Sequence, residues 1–249
     1  MTSEILSSFT DALEDDESLR EFTEREGKRA GANADDMYTG FLDGERYFVK
    51  SDLPREEKAA HLSAAPLMDQ FDHAPDIRYD PESEEIAVSK LGDDPRSPNS
   101  AALSDSSYSR FAPVDEEAFY EVAAERWVLG DSNVYDNILV ESVSPADLKP
   151  GNEREVYLHD FDHAGKSSSR GRKSDFRDAF DYVADKLGID FSMRRLQNEV
   201  GELAREIDVE TYRDDIEQLE EGLEDELYQK VNEHSERIAG NVEYAREVF

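Results

Sequence analysis

The sequence predicts an α+β protein with two lobes, a small β-rich lobe over residues 1–90 and a mainly helical lobe over residues 91–249. Short strand-like runs separated by turn residues dominate the first part of the chain, whereas apolar residues at helical spacing dominate the last part. Two acidic segments next to strand-like runs lie between them. A chain of 249 residues can bury one sizeable core or two small lobes.

The first lobe is predicted to begin with an amphipathic helix over residues 5–26. Its candidate apolar positions are Ile5, Leu6, Phe9, Leu13, Leu19 and Phe22. Met37–Leu42 and Arg46–Lys50 then predict two strands, and the Asp43-Gly44 pair between them is a strong hairpin signal.

A helix and two more strands complete the predicted first lobe. The helix begins near Pro54, which suits a first helical turn, and runs through a stretch rich in Ala and Glu. Asp76–Tyr79 and Glu85–Ser89 predict the strands, and the residues between them favour a turn.

The second lobe is predicted to be helical apart from two polar insertions, at residues 93–109 and 142–154. Glu116–Trp127 and Asp175–Leu187 predict helices, the latter ended by Gly188. Two charged helices are expected after residue 193. A stripe at i, i+4 spacing, typical of a core or a helix–helix contact, comprises Leu219, Leu223, Leu227 and Val231.

Two segments carry the candidate chemistry. The first runs from Leu129 through Gly130-Asp131 to Asn137-Ile-Leu-Val, and the second is Tyr157-Leu-His-Asp160-Phe161-Asp162. Carboxylate and amide oxygens are the ligands that Mg²⁺ prefers beside phosphate oxygens and water. Alone, each segment is typical of a solvated acidic turn. In this order, with a strand-like run beside each, the two favour phosphoryl transfer.

These segments resemble the catalytic loop and the metal-binding segment of the protein-kinase-like superfamily, whose protein-kinase forms read H-R-D-L-x-x-x-N and D-F-G. An acidic residue, Asp162, stands where protein kinases have Gly, which is more similar to the aminoglycoside phosphotransferases and choline kinases. The resemblance implies a two-lobed kinase-like fold, ATP and Mg²⁺ as cofactors, and transfer of the γ-phosphate to a hydroxyl of a small molecule or a protein.

The resemblance also implies a role for individual residues. Asp131 would be the catalytic carboxylate near the acceptor hydroxyl, and Asn137 and Asp160 would hold Mg²⁺. Lys50, at the end of the second predicted strand, would contact the phosphates. Glu57, with Glu56 as the alternative, would orient that lysine from the following helix.

Three departures from the kinase pattern leave an alternative open. Leu129 replaces the histidine of the catalytic loop, and the glycines of residues 27–33 do not form G-x-G-x-x-G. Asn137 lies six positions after Asp131 where the pattern has five, so a strict alignment places Ser132 at the position of the base. The alternative is a pseudokinase that binds a nucleotide or a protein without turnover. A third hypothesis is a helical scaffold that pairs through residues 193–249.

Other metals fit the same residues poorly. A calcium loop that begins at Asp131 needs Gly at its sixth position and Glu at its twelfth, and Asp136 and Ser142 occupy them. In residues 159–163, adjacent side chains on a strand would point to opposite faces, so they could not easily converge on one transition metal.

The net charge of −33 is the second informative property. Lys and Arg number 28 against 61 Asp and Glu, and the excess is spread along the chain. Dispersed acidity resembles proteins from salt-loving organisms, in which molar salt screens the repulsion. It also disfavours sequence-independent binding of nucleic acid. A hydrophobic fraction of 37% with 12 Phe and 11 Tyr argues against disorder of most of the chain.

The remaining composition favours a cytoplasmic location as the default. The chain has no Cys, no apolar run near the ~18 residues of a membrane span, and no basic-then-apolar start typical of a secretory signal. Residues 166–174 form a basic, Ser-rich run. It predicts a solvated loop, a site for an anionic substrate or an acidic surface, or an autophosphorylation segment at Ser167–Ser169.

Overall fold

The structure is a computed structural model that describes residues 5–6, 14–15, 37–42, 45–89, 95–96, 114–131, 138–141, 154–158, 161–166 and 173–249. Within them an antiparallel five-stranded sheet has the order β1-β2-β3-β5-β4. Its strands are β1 (Glu14–Asp15), β2 (Met37–Leu42), β3 (Glu45–Lys50), β4 (Ile77–Asp80) and β5 (Glu85–Ser89).

The predicted hairpin is confirmed by the pairing of β2 with β3. Leu42 pairs with Glu45 and Met37 pairs with Lys50, so the two residues that carry the turn signal lie between the paired ends. The side chains of Tyr47 and Val49 are buried, and Val88 of β5 pairs with Phe48 on the other side of β3. Pairing with a strand on each side fixes the position of Lys50 at the end of β3.

The predicted N-terminal helix over residues 5–26 is wrong at Leu6, Glu14 and Asp15, which lie among the four residues of that range that the structure describes. Glu14 and Asp15 form β1, which pairs with Phe41 and Gly40 of β2, and Leu6 forms a bridge to Tyr79. The unpaired backbone groups of an edge strand offer a ladder to any neighbouring segment. Here that pairing overrides a helical pattern that contains several Asp, which are weak helix formers.

The first helix, α1 (Arg55–Ala64), begins after Pro54 as the sequence predicts and continues into a 3₁₀ turn, Ala65–Gln70. The strands predicted after it are confirmed as β4 and β5. A second sheet, of order β6-β7-β8, contains β6 (Pro95–Arg96), β7 (Ile138–Glu141) and β8 (Val156–Leu158).

The remaining elements of the described residues are helices. After residue 193 they form three α-helices where the sequence predicts two. The helices of this part are α2 (Glu116–Leu129), α3 (Lys173–Leu187), α4 (Met193–Glu206), α5 (Val209–Gln218), a 3₁₀ turn at Leu219–Gly222, and α6 (Asp225–Val248). Leu219, Leu227 and Val231 of the predicted stripe are buried, which confirms their assignment to the core.

Aromatic side chains join three of these helices, α2, α3 and α6. Trp127 of α2 is buried, and its ring stacks on Tyr244 of α6 with centroids 6.3 Å apart. Phe176 of α3 and Phe249 approach the same indole, at 6.4 Å and 5.6 Å. Large aromatic surfaces contribute much of the burial in a core of this size, so α2 is anchored firmly at this end.

One hydrophobic cluster runs through both predicted lobes. It includes Leu62 and Ile86 on one side of position 90, and Val128, Ile138 and Ile238 on the other. The boundary at residue 90 stays a prediction, since the core is continuous across it. In the described part of the chain, no helix is both long enough and apolar enough to cross a membrane.

Helix α1 also packs along α6 through a charged contact that we call the α1–α6 seam. Arg55 pairs with Glu226 and lies 3.5 Å from Glu224, while Glu56 pairs with Lys230. These side chains are 35% to 76% exposed. The seam therefore ties α1, a helix of the predicted first lobe, to α6 through solvent-exposed ion pairs.

Candidate functional site

Lys50 meets a histidine from α1. Its Nζ lies 3.2 Å from Nε2 of His61, and both residues are buried. The other ring nitrogen of His61, Nδ1, lies 2.9 Å from the backbone oxygen of Glu57. A carbonyl oxygen only accepts and an ammonium only donates, so Nδ1 carries the proton and Nε2 accepts from Lys50. The contacts are those of a neutral imidazole.

The sequence of α1 explains how the histidine reaches the lysine. Ala59, Ala60 and Ala64 surround His61 on the helix and are buried with little or no exposed area. Small residues allow a helix to lie close to a sheet, and the backbone bond at i−4 uses the helix's own geometry to orient the ring. The imidazole of His61, one of two buried polar side chains in this otherwise apolar stretch, reaches Lys50 at the end of β3.

Glu57 and Glu56, the two predicted partners of Lys50, occupy different places in the structure. Glu57 contributes its backbone carbonyl, which fixes the tautomer of His61. Glu56 faces α6, where it pairs with Lys230 and lies 3.3 Å from Nε2 of His234. The hydrogen bond from Lys230 lowers the pKa of Glu56 below its usual value. Glu56 is thus a residue of the α1–α6 seam.

Asp131 follows the end of α2 in a local arrangement typical of helix C-termini. Gly130 has a φ of 68°, its N–H donates to the oxygen of Trp127 at 3.1 Å, and the N–H of Asp131 donates to the oxygen of Arg126 at 3.1 Å. These are the two bonds of a Schellman motif with Gly at the left-handed position. The motif turns the chain back, so residue 131 lies beside residue 126.

The side chains of Arg126 and Asp131 use this proximity to form a buried ion pair. Nη1 of Arg126 donates to Oδ2 of Asp131, and neither side chain has any exposed area. A carboxylate at a helix C-terminus lies against the negative end of the helix dipole. The arginine offsets that repulsion as well as the cost of burying the carboxylate.

Phe161 connects the two pairs. Its ring is edge-on to His61, with centroids 6.1 Å apart and planes at 78°, and Cζ of Arg126 lies 5.3 Å from its centroid. Lys50, His61, Phe161, Arg126 and Asp131 therefore form a continuous buried row, which we call the motif row. It brings together the predicted phosphate-binding lysine, the Phe of the metal-binding segment and the predicted catalytic carboxylate.

The predicted metal ligands Asn137 and Asp160 lie outside the described residues. Nearby, Ile138 of β7 pairs with Leu158 of β8, so the start of one strand and the end of the other meet at the same end of the ladder. Among the residues that the structure does describe, no group of three or more His, Asp or Glu could hold a metal ion. Neither predicted magnesium ligand is tested by this geometry.

The residues after Phe161 are held by helices on both sides. The N–H of Gly165 donates to the oxygen of Leu129 at 2.8 Å, and Arg237 of α6 donates to the oxygen of Gly165 at 3.1 Å. Gly165 has a φ of +67°, and a Cβ there would lie 2.6 Å from Cβ of His234. Residues 161–166 are therefore packed tightly between α2 and α6.

A second buried carboxylate, that of Glu125, lies within α2 itself. Glu125 is 3% exposed, and its Oε2 has no hydrogen-bond partner in the described structure. Burial, with the nearby Glu121 and Asp72, raises its pKa well above the usual value. The neighbouring His73 lies 2.8 Å from Glu121, on the loop between α1 and β4.

Two residues of the motif row, His61 and Arg126, were missed by sequence reasoning. The signal for His61 was its position as an ionisable residue one helical turn after Glu57, in a mainly apolar stretch. Arg126 had a weaker signal, a cation five residues before Asp131 on a helix that ends in Gly130.

No protein-family model matches the chain, and no curated protein matches it significantly. Among solved structures, the Helicobacter pylori proinflammatory kinase CtkA matches with a TM-score of 0.50 and 10% identity, over 86% of this chain and 92% of that one.

Two further matches are weaker. HipA of a Shewanella oneidensis toxin–antitoxin system matches at a TM-score of 0.43 and 11% identity, over 98% of this chain and 76% of that one. The choline kinase LicA of Streptococcus pneumoniae matches at a TM-score of 0.31 and 11% identity, over 92% of this chain and 100% of that one.

The similarity to CtkA extends over nearly the whole of both chains, and at this identity it concerns the fold alone. The order of the elements agrees with it: an antiparallel sheet with one helix inserted before its last two strands, followed by a mainly helical part. This chain has a divergent, protein-kinase-like fold.

Proposed function

We propose that this chain is an ATP-dependent phosphotransferase, which transfers the γ-phosphate to a hydroxyl of a small molecule or a protein. The observation that carries the proposal is the motif row. Three segments that the sequence singled out for phosphoryl transfer are far apart in the chain. Within a kinase-like fold, Lys50, Phe161 and Asp131 are nevertheless linked in one row of contacts through His61 and Arg126.

In this proposal Lys50 binds the nucleotide phosphates, and Asn137 and Asp160 hold Mg²⁺. When bound, the metal would neutralise charge on the phosphates. Asn and Asp supply the hard oxygen ligands that Mg²⁺ prefers. Support for the pair comes from the β7–β8 ladder, whose paired residues Ile138 and Leu158 stand close to both in the sequence. Catalysis would consist of positioning and electrostatic stabilisation.

Asp131 is proposed to orient the acceptor hydroxyl. One of its oxygens, Oδ2, accepts from Arg126. A carboxylate has two oxygens and about four lone-pair sites, so the role requires the other oxygen to reach the acceptor while Arg126 holds the first. Arg126 would then set the direction of that carboxylate.

One observation favours the second candidate, a pseudokinase that binds nucleotide without turnover. The Asp131 side chain has no exposed area and is paired with a buried arginine. A carboxylate held in this way is also what a purely structural counter-ion would look like. Two departures from the kinase pattern also favour a pseudokinase: Leu129 replaces the catalytic-loop histidine, and a strict alignment puts Ser132 at the position of the base.

The first experiment tests nucleotide binding. In molar KCl, ATP with Mg²⁺ is expected to raise the melting temperature, because a ligand that binds the folded state stabilises it. Asp160→Asn should lose most of that rise. Asp185→Asn, which removes the same charge from an exposed position on α3, is the matched control and should keep it. If no nucleotide shifts the melting temperature at saturation, both the kinase and the nucleotide-binding pseudokinase are wrong.

The second experiment separates enzyme from pseudokinase. Asp131→Asn keeps an oxygen for Arg126 but cannot take up a proton, so it should bind ATP normally and lose turnover by roughly 10²–10⁴. Phosphate transfer, or slow ATP hydrolysis where the acceptor is unknown, is the measurement. Ser132→Ala tests the other alignment, and loss of turnover in that variant alone would move the base to Ser132.

A further inference from the structure

We infer that His61 is the positioning residue that holds Lys50 for the nucleotide phosphates. The inference rests on the proposed function and deepens it. In protein kinases a Glu of the corresponding helix pairs with this lysine. Here a neutral imidazole from α1 makes the contact, at 3.2 Å from Nζ.

The geometry restrains the imidazole on three sides. Nδ1 is bound to the carbonyl oxygen of Glu57 at 2.9 Å, Nε2 faces Lys50, and the ring edge packs against Phe161. His61 has no exposed area. Because both ring nitrogens are in contact and the ring is buried, the lone pair of Nε2 points at Lys50 in one fixed direction. A positioning residue requires such a fixed direction.

The choice of histidine has an electrostatic consequence. A glutamate in this contact would add a negative charge beside the lysine, whereas the neutral imidazole adds none. The chain already carries a net charge of −33, and a nucleotide triphosphate is itself a polyanion. A neutral partner orients Lys50 without adding to the repulsion that the phosphates meet.

The contact with Phe161 extends the inference to the metal-binding segment. His61 touches both the lysine and the residue that follows Asp160 in the chain. A displacement of Phe161 would therefore change the support of the imidazole and, through it, the direction of Lys50. His61 couples the two sites that must act on one nucleotide.

The test compares ligands that differ only in their phosphates, by isothermal titration in molar KCl. His61→Leu removes the acceptor at similar volume, and it should weaken ATP–Mg²⁺ and ADP binding by about tenfold or more, the usual scale for a lost charge-assisted contact. Adenosine, which has no phosphate, should bind as well as it does to the wild type. His61→Gln, whose amide oxygen can accept from Lys50, should recover most of the affinity.

Controls distinguish the possible failures. His73→Leu removes another partly buried histidine and should leave ATP binding unchanged. Equal weakening of ATP and adenosine by His61→Leu would mean a merely structural role and would overturn the inference. So would loss of ATP binding in Glu57→Gln but not in His61→Leu. If the wild type binds no ATP, the proposed function itself is wrong.

A measurement on the wild type covers the case in which His61→Leu does not fold. Nitrogen-15 NMR of the histidine rings should show His61 as a neutral imidazole with the proton on Nδ1, and its Nε2 signal should shift with ATP–Mg²⁺ but not with adenosine. A protonated ring at pH 7, or equal shifts with both ligands, would contradict the inference.

Discussion

The motif row and the α1–α6 seam both join distant parts of the chain through charged side chains, but only the motif row is shielded from solvent. In the row, Arg126 and Asp131 are fully buried. In the seam, the paired side chains of Arg55 and Glu226 are 45% and 76% exposed. The two regions share α1, so the same helix takes part in a protected contact on one face and a hydrated one on another.

The difference in hydration decides what each contact contributes. Exposed ion pairs typically contribute 0 to about 1 kcal/mol and are screened by salt. A buried ion pair contributes little net stability. Removal of one partner nevertheless lowers the free energy of unfolding strongly, because the other charge stays buried without compensation. The seam should therefore tolerate change and the row should not.

The largest effect is expected from breaking the buried pair. Arg126→Met leaves the Asp131 carboxylate in the core and should lower the free energy of unfolding by about 3–5 kcal/mol. Urea denaturation in molar KCl is the measurement. The double variant Arg126→Met/Asp131→Asn removes both charges and should recover part of that loss. A double variant no more stable than the single one would contradict a cost due to uncompensated charge.

The next effect concerns Gly165, where the segment after Phe161 meets α6. Ala at this position must adopt a φ of +67° and place Cβ 2.6 Å from His234. Strain and overpacking together should lower the free energy of unfolding by on the order of 2–4 kcal/mol. Gly188→Ala is the matched control, since its φ is +76° but a Cβ there meets nothing within 4 Å. Equal losses in the two variants would show that packing against α6 contributes nothing.

Glu125 extends the comparison, because it is a buried carboxylate on α2. One of its oxygens, Oε2, has no hydrogen-bond partner among the described residues. Its raised pKa means that the folded state holds the proton to higher pH than the unfolded state. Its contribution to stability is therefore fully present below the ordinary Glu pKa and is lost as pH rises through the folded pKa.

Glu125→Gln removes that loss. The variant should gain stability over the wild type as pH rises above the ordinary Glu pKa. Urea denaturation at several pH values in molar KCl measures the difference. Glu117→Gln makes the same charge change at an exposed position of α2 and should show no comparable trend. A difference for Glu125→Gln that stays constant with pH would refute the role of its carboxyl proton.

The smallest effect belongs to the seam. Arg55→Gln removes the contacts with Glu224 and Glu226, and should cost less than about 1 kcal/mol in dilute buffer. In molar KCl, where the Debye length is about 3 Å, the loss should shrink further. Thermal unfolding at low and high salt gives both values. A larger loss at high salt would show that the contact acts through packing of the arginine stem.

Sequence patterns predicted much of this molecule, and the misses have physical causes. The β2–β3 hairpin, α1 and α2 follow from local turn chemistry and capping, which short stretches of sequence encode. β1 was missed because its pairing with β2 depends on a neighbour in space. His61 and Arg126 were missed because contact with Lys50 and Asp131 depends on how α1 and α2 lie against other elements. Asn137 and Asp160, outside the described residues, stay predictions.

The α1–α6 seam has a consequence for the order of events during synthesis. Glu56 and Lys230 are 174 positions apart, and ribosomes add roughly 5–20 residues per second. Lys230 is therefore made roughly 10–35 s after Glu56. Throughout that interval α1 lacks the helix with which it forms the seam. The ion pairs of the seam can therefore form only late, when nearly all of the described sequence has been translated.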